Sequence, residues 1–238
     1  MAYMLATDLD MTLVGDDEAL ERLNHQITEL RTQKNLKLVY VTGRSQELYR
    51  SLEADKELLK PDALITAVGT EIYGGDGSLL EGWPKTSGWD RQVIEGLLNG
   101  YPNLIRQPDS EQRPYKVSYY LQSDELTFAR IKNTLQHLDV EVVYSMSQYV
   151  DVLPRGVNKG SALLRLASIW DVPATNVITC GDSENDITML SVGKAVLVGN
   201  AKETLRTWAK NRADQNIYLA KAECAAGIEE GLVHWGLL

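Results

Sequence analysis

Four short polar clusters carry the residues of this chain best suited to chemistry. They are Asp8-Leu9-Asp10-Met11-Thr12, Thr42-Gly43-Arg44, Lys159-Gly160, and Gly181-Asp182-Ser183-Glu184-Asn185-Asp186. Together they offer carboxylates, a hydroxyl, an ammonium group and exposed backbone, the equipment for holding a divalent metal and moving a phosphoryl group. Asp8 and Asp10 are two residues apart, so in extended chain they face the same side. Carboxylates that close repel unless a cation or proton intervenes. A magnesium ion, a hard cation that prefers oxygen ligands, resolves this when shared by Asp8 and Asp182. Asp186, one helical turn beyond Asp182, is a further ligand, directly or through water. Lys159 is a fixed positive charge at the start of a helix-like stretch, where backbone N–H groups also favour anions. Thr42 and the Gly43 amide suit phosphate oxygens, and Gly43 permits close approach because it has no side chain. Arg44 either adds charge there or serves as a surface ion-pair partner. The bland reading of each motif alone is a solvated acidic loop or a surface lysine. A calcium loop, which Asp8-x-Asp10-x-Thr12 superficially opens, needs Gly at its sixth and Glu at its twelfth position; here these are Leu13 and Ala19, and the match fails. His25, His137 and His234 are scattered over helix-like stretches and are assigned no catalysis.

The elements that must position these residues follow from apolar periodicity. Tyr3–Thr7, Leu38–Val41 and Ala63–Val68 read as short buried strands, the first two ending at Asp8 and Thr42. A helix is expected over Asp17–Gln33, striped by Leu20, Leu23, Ile27 and Leu30, and a second after an N-cap at Ser45. Strand, helix, strand, helix, strand implies parallel pairing. The carboxyl ends of such strands share one crevice, so clusters far apart in sequence can meet there. Glu71–Tyr73, a glycine-rich turn and Ser78–Glu81 read as a hairpin. From about Trp83 to Pro154 the order becomes helix, strand, helix, strand, strand, the last two forming a hairpin. Val117, Tyr119 and Leu121 alternate with Lys116, Ser118 and Tyr120 across one of these strands. The α/β rhythm resumes at Asn158, with strands at Asn176–Cys180, Ala195–Val198 and Ile217–Leu219. The expected architecture is an α/β, Rossmann-like parallel-sheet core (1–80 and 156–238) with an inserted α+β cap (81–155).

The bulk properties exclude several classes. The 238 residues, 44% of them apolar, suffice for a substantial core. A net charge of −9 disfavours a nucleic-acid partner, which needs a basic surface. Two cysteines, Cys180 and Cys224, are too few for a disulfide framework or a zinc site, and Cys180 is expected as a buried thiol. No basic-then-apolar leader precedes Asp8, and no run approaches the ~18 uncharged apolar residues of a membrane helix. The expectation is a cytoplasmic protein with no membrane partner.

The four clusters, in this order and spacing, resemble the four motifs of the haloacid dehalogenase superfamily of phosphatases. That resemblance implies that Asp8 would attack phosphorus and form an aspartyl-phosphate. Asp10 would protonate the leaving oxygen and then activate water, its backbone carbonyl also ligating magnesium. Thr42 and Lys159 would stabilise the transferring group, and Asp182 would complete the metal site. The insertion is similar to that superfamily's large cap. Thr66–Tyr73, Pro114–Tyr119 and Val150–Pro154 further resemble segments of the sucrose-phosphate phosphatases of cyanobacteria and plants. By that likeness the substrate is sucrose-6-phosphate. Gln107, Gln112, Lys116, Ser118 and Tyr120 would meet sugar hydroxyls, Glu71 would reach from the core, and Asn158 and Asn185 are further candidate substrate contacts. The implied protein partner is a sucrose-phosphate synthase, and the expected oligomeric state is a monomer.

Three outcomes remain open on these residues: hydrolysis of sucrose-6-phosphate or of another sugar phosphate (trehalose, mannosyl or glucosyl conjugates), a phosphohexomutase with a similar cap, or a non-catalytic module that only accepts phosphate on Asp8. The intact Asp10 speaks against the last, since a pure acceptor needs no acid/base there.

Overall fold

The computed structural model describes residues 2–122, 124–212 and 216–238. The chain begins β1 (Tyr3–Thr7), α1 (Asp17–Lys34), β2 (Leu36–Val41), α2 (Gln46–Asp55), β3 (Ala63–Thr66), β4 (Glu71–Gly74). It continues α3 (Arg91–Leu98), β5 (Ile105–Arg106), β6 (Val117–Tyr120), α4 (Glu125–Leu135), β7 (Val140–Ser145), β8 (Tyr149–Pro154). It closes with α5 (Lys159–Ile169), β9 (Val177–Gly181), α6 (Ile187–Leu190), β10 (Lys194–Leu197), α7 (Glu203–Lys210), β11 (Ile217–Leu219) and α8 (Cys224–His234).

Seven strands form one sheet in the order β11-β10-β9-β1-β2-β3-β4, parallel except for the antiparallel edge strand β4. The stripe of α1 (Leu20, Leu23, Ile27, Leu30) packs with Tyr49 and Leu52 of α2 and with Ile228 and Leu232 of α8 in one cluster. Ala162, Leu163 and Leu166 of α5 pack with Met4, Val39 and Ile65 in another. Alternate residues of β1 and β2 feed the two clusters, as alternation in a strand requires. Helix ends are capped as their residue types predict: the Asp16 carboxylate accepts from Ala19 N at 3.0 Å, and the Ser45 hydroxyl from Leu48 N at 3.3 Å. Asn158 opens α5 with a reciprocal capping box to Ser161.

Between β4 and α5 lies a separate antiparallel sheet, β5-β6-β8-β7. Its own core holds Val117 and Tyr119 of β6, Val150 and Val152 of β8, Ile94 of α3 and Ile131 of α4. Lys116, Ser118 and Asp151 are thereby left for the other face, and all three are buried there.

Two sequence expectations are corrected. The third strand stops at Thr66 rather than Val68, because Ala67 and Val68 take left-handed φ of 51° and 59° and turn the chain back. Consequently Glu71–Gly74 pairs antiparallel with β3, and Ser78–Glu81 is not a strand but touches Tyr73 through one bridge at Leu79. The insertion also carries a strand the periodicity missed, β5, two exposed residues long. Among the described residues no helix is long and apolar enough to cross a membrane. Both cysteines are free and buried, and burial pushes the Cys180 thiol up.

Candidate active site

β1 is the point in the sheet from which the order runs one way to β2 and the other way to β9. A crevice opens beyond the carboxyl ends of strands at such a switch point. Asp8 follows β1, Thr42 follows β2 and Asp182 follows β9, so parallel register brings these cluster residues together. Lys159 reaches the same point from the start of α5. Gly160 makes this approach possible: a Cβ there would lie 2.3 Å from the Thr188 carbonyl oxygen, so only glycine lets α5 sit against α6. Gly181 does the same for Asp186, whose Cβ would be 2.6 Å from an added methyl.

The resulting cluster is tight and dry. Lys159, 0% exposed, donates to Asp8 Oδ1 at 2.6 Å and to Asp186 Oδ1 at 2.7 Å. Asp186 Oδ2 accepts from the backbone N–H groups of Asp182 and Ser183, both at 3.1 Å. Both oxygens of Asp186 are therefore engaged in fixing Lys159 and the 182–186 turn, whereas among the described residues the Asp182 carboxylate accepts one long bond, from Thr12 Oγ1 at 3.3 Å on Oδ1. Carboxylate oxygens of Asp8, Asp182 and Asp186 lie within 4.8 Å of one another. Counted over these four groups alone, three carboxylates against one ammonium leave two formal negative charges in excess in a buried pocket. Burial pushes the Asp8 carboxyl up, the Lys159 ammonium opposes this, and Asp186 and Asp182 add to the rise. Burial, reinforced by Asp186, pushes Asp182 up from 3.8 to about 7. Burial pulls the Lys159 ammonium down, but the Asp186 and Asp8 carboxylates outweigh it and raise its pKa. The donor set is all oxygen, and the unbalanced charge is that of one divalent cation. The residues fit magnesium, with Asp8 and Asp182 as the carboxylates least committed elsewhere.

Asp10 stands apart from this cluster. Arg44 grips its carboxylate with Nε on Oδ2 at 2.8 Å and Nη2 on Oδ1 at 2.7 Å, at the mouth of the crevice. Arg44 thus has a partner on the core, and that hydrogen bond is the largest cause of its raised pKa.

Core and insertion together enclose a cavity of about 440 Å³. Asp8, Asp10, Gly43, Arg44, Asp182 and Asn185 line its core side. From the insertion come Gln107, Lys116 and Tyr120, as expected, and also Glu111, Tyr149 and Asp151, which the sequence reading missed. Asp151 is the hub of this wall: its Oδ1 accepts from Ser118 Oγ at 2.6 Å and Lys116 Nζ at 3.1 Å. Its signal in the sequence was a lone carboxylate in an otherwise apolar strand, Val150-Asp151-Val152.

Other expected site residues lie outside the cavity lining. Thr42 is buried, and its hydroxyl accepts from Arg44 N at 3.1 Å. Gln112 spends its side chain on the backbone, donating to the Gln107 and Ser118 carbonyls and accepting from Ser118 N. Ser118 sits behind Asp151. Asn158 caps α5 and donates to Glu141 of β7 at 3.3 Å. Glu71 accepts from Thr66, Tyr73 and Arg113. Lys159 and Asp186 stand one layer below the lining, reaching it through Asp8 and the 182–186 turn.

The class of protein comes from the fold. A haloacid dehalogenase-like hydrolase from B. subtilis superposes with a TM-score of 0.72 over 98% of each chain at 20% identity, a likeness that speaks for the fold alone. The chain has that haloacid dehalogenase-like fold: a parallel-sheet core with a separate antiparallel sheet inserted.

The particular family is narrower. The chain belongs to the sucrose-6F-phosphate phosphohydrolase family, whose model matches residues 1–236. The sucrose-phosphatase of Synechocystis sp. PCC6803, solved in complex with sucrose and phosphate, superposes with a TM-score of 0.92 at 34% identity, covering 98% of this chain and 97% of that one. Sucrose-phosphatase 1 of Nicotiana tabacum is 38% identical over 98% of this chain, and this chain spans only 59% of the tobacco protein's length. The mannosylfructose-phosphate phosphatase of Agrobacterium fabrum is 31% identical, over 98% of this chain and 97% of that protein.

Proposed function

We propose that this chain is a magnesium-dependent phosphatase that hydrolyses sucrose-6-phosphate to sucrose and phosphate. The observation that carries the reading is the gathering of Asp8, Lys159, Asp182 and Asp186 under a cavity whose opposite wall is built of polar groups from the insertion. The family match supports the same chemistry, and the sucrose and phosphate bound to the Synechocystis relative support the sugar. Residues 81–155 act in this reading as the substrate-specificity domain.

Asp8 supplies the nucleophilic oxygen. Its attack on phosphorus forms an aspartyl-phosphate and breaks the bond to the sugar oxygen, which takes a proton from Asp10. Water then attacks the phosphorus, Asp10 receives its proton, and Asp8 is regenerated with release of phosphate. A carboxylate nucleophile divides one slow step into two. Arg44 keeps Asp10 at the cavity mouth, where both transfers occur. Lys159, fixed by Asp186, keeps Asp8 oriented and places positive charge beside the phosphoryl group. Asp8, Asp182 and the Asp10 carbonyl would hold magnesium, which would supply charge neutralisation for the phosphoryl oxygens.

The metal reading has a signed pH consequence. A carboxyl raised from 3.8 to about 7 binds protons in the folded chain over a range where the unfolded chain has lost them. Stability contributed by Asp182 is therefore lost as pH rises through roughly 4 to 7. A cation that binds the ionised cluster restores it. Thermal melts in excess chelator and in magnesium at 100-fold its dissociation constant should differ by roughly 5–10 °C at pH 8 and by little at pH 5. An equal difference at the two pH values contradicts magnesium at this cluster.

The sugar reading is tested at Lys116. Lys116→Ala should raise KM for the sugar phosphate by roughly 10- to 100-fold, the worth of a charged hydrogen bond. Hydrolysis of p-nitrophenyl phosphate, which has no sugar to read, should change far less. Equal loss on both substrates removes Lys116 from sugar recognition.

The second reading keeps the chemistry and changes the sugar, and the near-complete match to the Agrobacterium protein favours a mannosylfructose phosphate as the alternative. A mutase is separated from both by free phosphate appearing without interconversion of hexose phosphates. A cytoplasmic location, a monomeric state and a sucrose-phosphate synthase partner belong to the same proposal. Fractionation, light scattering and pull-down from the native host check them in turn.

A further inference from the structure

Three consecutive residues of the insertion, Glu111-Gln112-Arg113, face alternately the core and their own sheet. Glu111 Oε1 accepts from Ser45 Oγ at 3.0 Å, and Ser45 is the N-cap of α2, next to Arg44 of the site. Arg113 Nε donates to Glu71 Oε1 at 2.7 Å, and the other Glu71 oxygen is held by Thr66 Oγ1 at 2.9 Å and Tyr73 OH at 3.1 Å. Glu71 is thus a rigid acceptor built into the edge of the core sheet, its side chain 9% exposed. Gln112 between them turns the other way. Its amide donates to the Gln107 and Ser118 carbonyls at 3.0 and 2.9 Å and accepts from Ser118 N at 3.0 Å. Ser118 in turn donates to Asp151, which also takes Lys116, and Lys116 and Asp151 line the cavity. Hydrogen bonds at each end, joined by the peptide backbone of residues 111–113, therefore link the insertion's cavity wall to two anchor points on the core.

We propose that Glu111, Gln112 and Arg113 form a latch that seats the cap on the core through Ser45 and Glu71, so that groups reading the sugar at Lys116 and Asp151 bias the seated state. The latch extends the proposed function in its coupling to sugar, while the seating itself does not depend on which sugar is bound. Arg113 and Glu111 are positioning residues in this scheme. The two-state element is the cap against the core: seated, both anchors are made; unseated, Glu71 and Arg113 each return to water. A ligand shifts such an equilibrium only through contacts made better in one state. The anchors flank a segment whose middle residue is tied to the cavity wall, which supplies that difference.

The test combines seating and turnover. Nitroxide labels at Leu126→Cys on α4 and Val233→Cys on α8, both exposed positions, report the cap-to-core distance, with the buried native cysteines left in place. Distances are measured on the full chain, free and with sucrose plus inorganic phosphate, in the otherwise native protein, Arg113→Ala, Arg113→Lys, Glu71→Gln and the Glu71→Gln/Arg113→Ala double variant. Arg113→Ala and Glu71→Gln should each move the free protein's population to longer distance and lower kcat on the sugar phosphate about tenfold, with KM changed less. The double variant should be no worse than Arg113→Ala alone, and Arg113→Lys should recover part of the loss. Turnover of p-nitrophenyl phosphate should fall less than that of the sugar phosphate. Unchanged distances in the free single variants overturn the latch whatever the substrate, as do losses that multiply in the double variant. Shifted distances in the variants, with no response of the native protein to sucrose and phosphate, keep the seating role of the anchors and overturn both the coupling to sugar and the sucrose reading.

Discussion

Asp8→Asn abolishes phosphate release, by about 10⁴-fold or more, and leaves a protein that melts no lower than its parent. The loss follows from the role: an amide cannot attack phosphorus, and removing a nucleophile costs about as much as removing the whole catalytic group. The unimpaired stability follows from the geometry. Asp8 is one of three buried carboxylates facing one ammonium, and burial and its two neighbours push its carboxyl up. Taking away one of these charges relieves repulsion, while the amide still offers Lys159 an acceptor in place of Oδ1. Activity is read by phosphate release and stability by calorimetry in chelator. Retained turnover removes Asp8 from the chemistry; a large drop in melting temperature means that the charge balance at the cluster is misjudged.

Lys159→Met has the opposite profile in stability. The side chain is fully buried and its ammonium is shared by Asp8 and Asp186. Methionine fills a similar volume but leaves three buried carboxylates with no countercharge among these groups. Breaking a buried pair by removing one partner costs about 3–5 kcal/mol, or roughly 6–20 °C for a chain of this size. Activity should fall with it, because Asp8 loses its orienting contact and the phosphoryl site its fixed charge. Magnesium should recover part of the stability and little of the activity. Adding the double variant Lys159→Met/Asp186→Asn separates the causes: neutralising Asp186 should return a measurable share of the melting temperature and none of the turnover. A Lys159→Met protein as stable as the parent contradicts the buried triad.

What was legible in the sequence was the part of the site that sits where a strand ends. Asp8, Thr42 and Asp182 each follow an apolar run, and a parallel sheet brings such ends together regardless of their distance along the chain. Lys159 was legible as a positive charge opening a helix-like stretch, where backbone N–H groups also favour anions. Apolar periodicity gave α1 almost to the residue, Asp17–Lys34 against an expected Asp17–Gln33. The rest was obscured by physical ambiguities. Ala67 and Val68 have strand-like composition, and nothing local announces their left-handed φ; the reversal they make turns Glu71 toward the cap's base and away from the cavity. Asp151 and Glu111 were passed over, because a lone charge carries no local sign that the fold will bury it. Gln112 and Asn158 have the right chemistry for sugar, yet backbone amides and a helix start claim their side chains. Short polar side chains next to unpaired backbone groups are drawn to those groups first, and spacing alone does not reveal that competition.

The central claim is that this pocket removes phosphate from a phosphorylated disaccharide. Its most direct test is phosphate release by the purified chain from sucrose-6-phosphate, mannosylfructose phosphate, trehalose phosphate and hexose phosphates, with magnesium and with chelator. Stoichiometric phosphate and free sucrose are expected from sucrose-6-phosphate, only with magnesium, at a kcat/KM well above that for any hexose phosphate. No magnesium-dependent release from any of these substrates contradicts that claim.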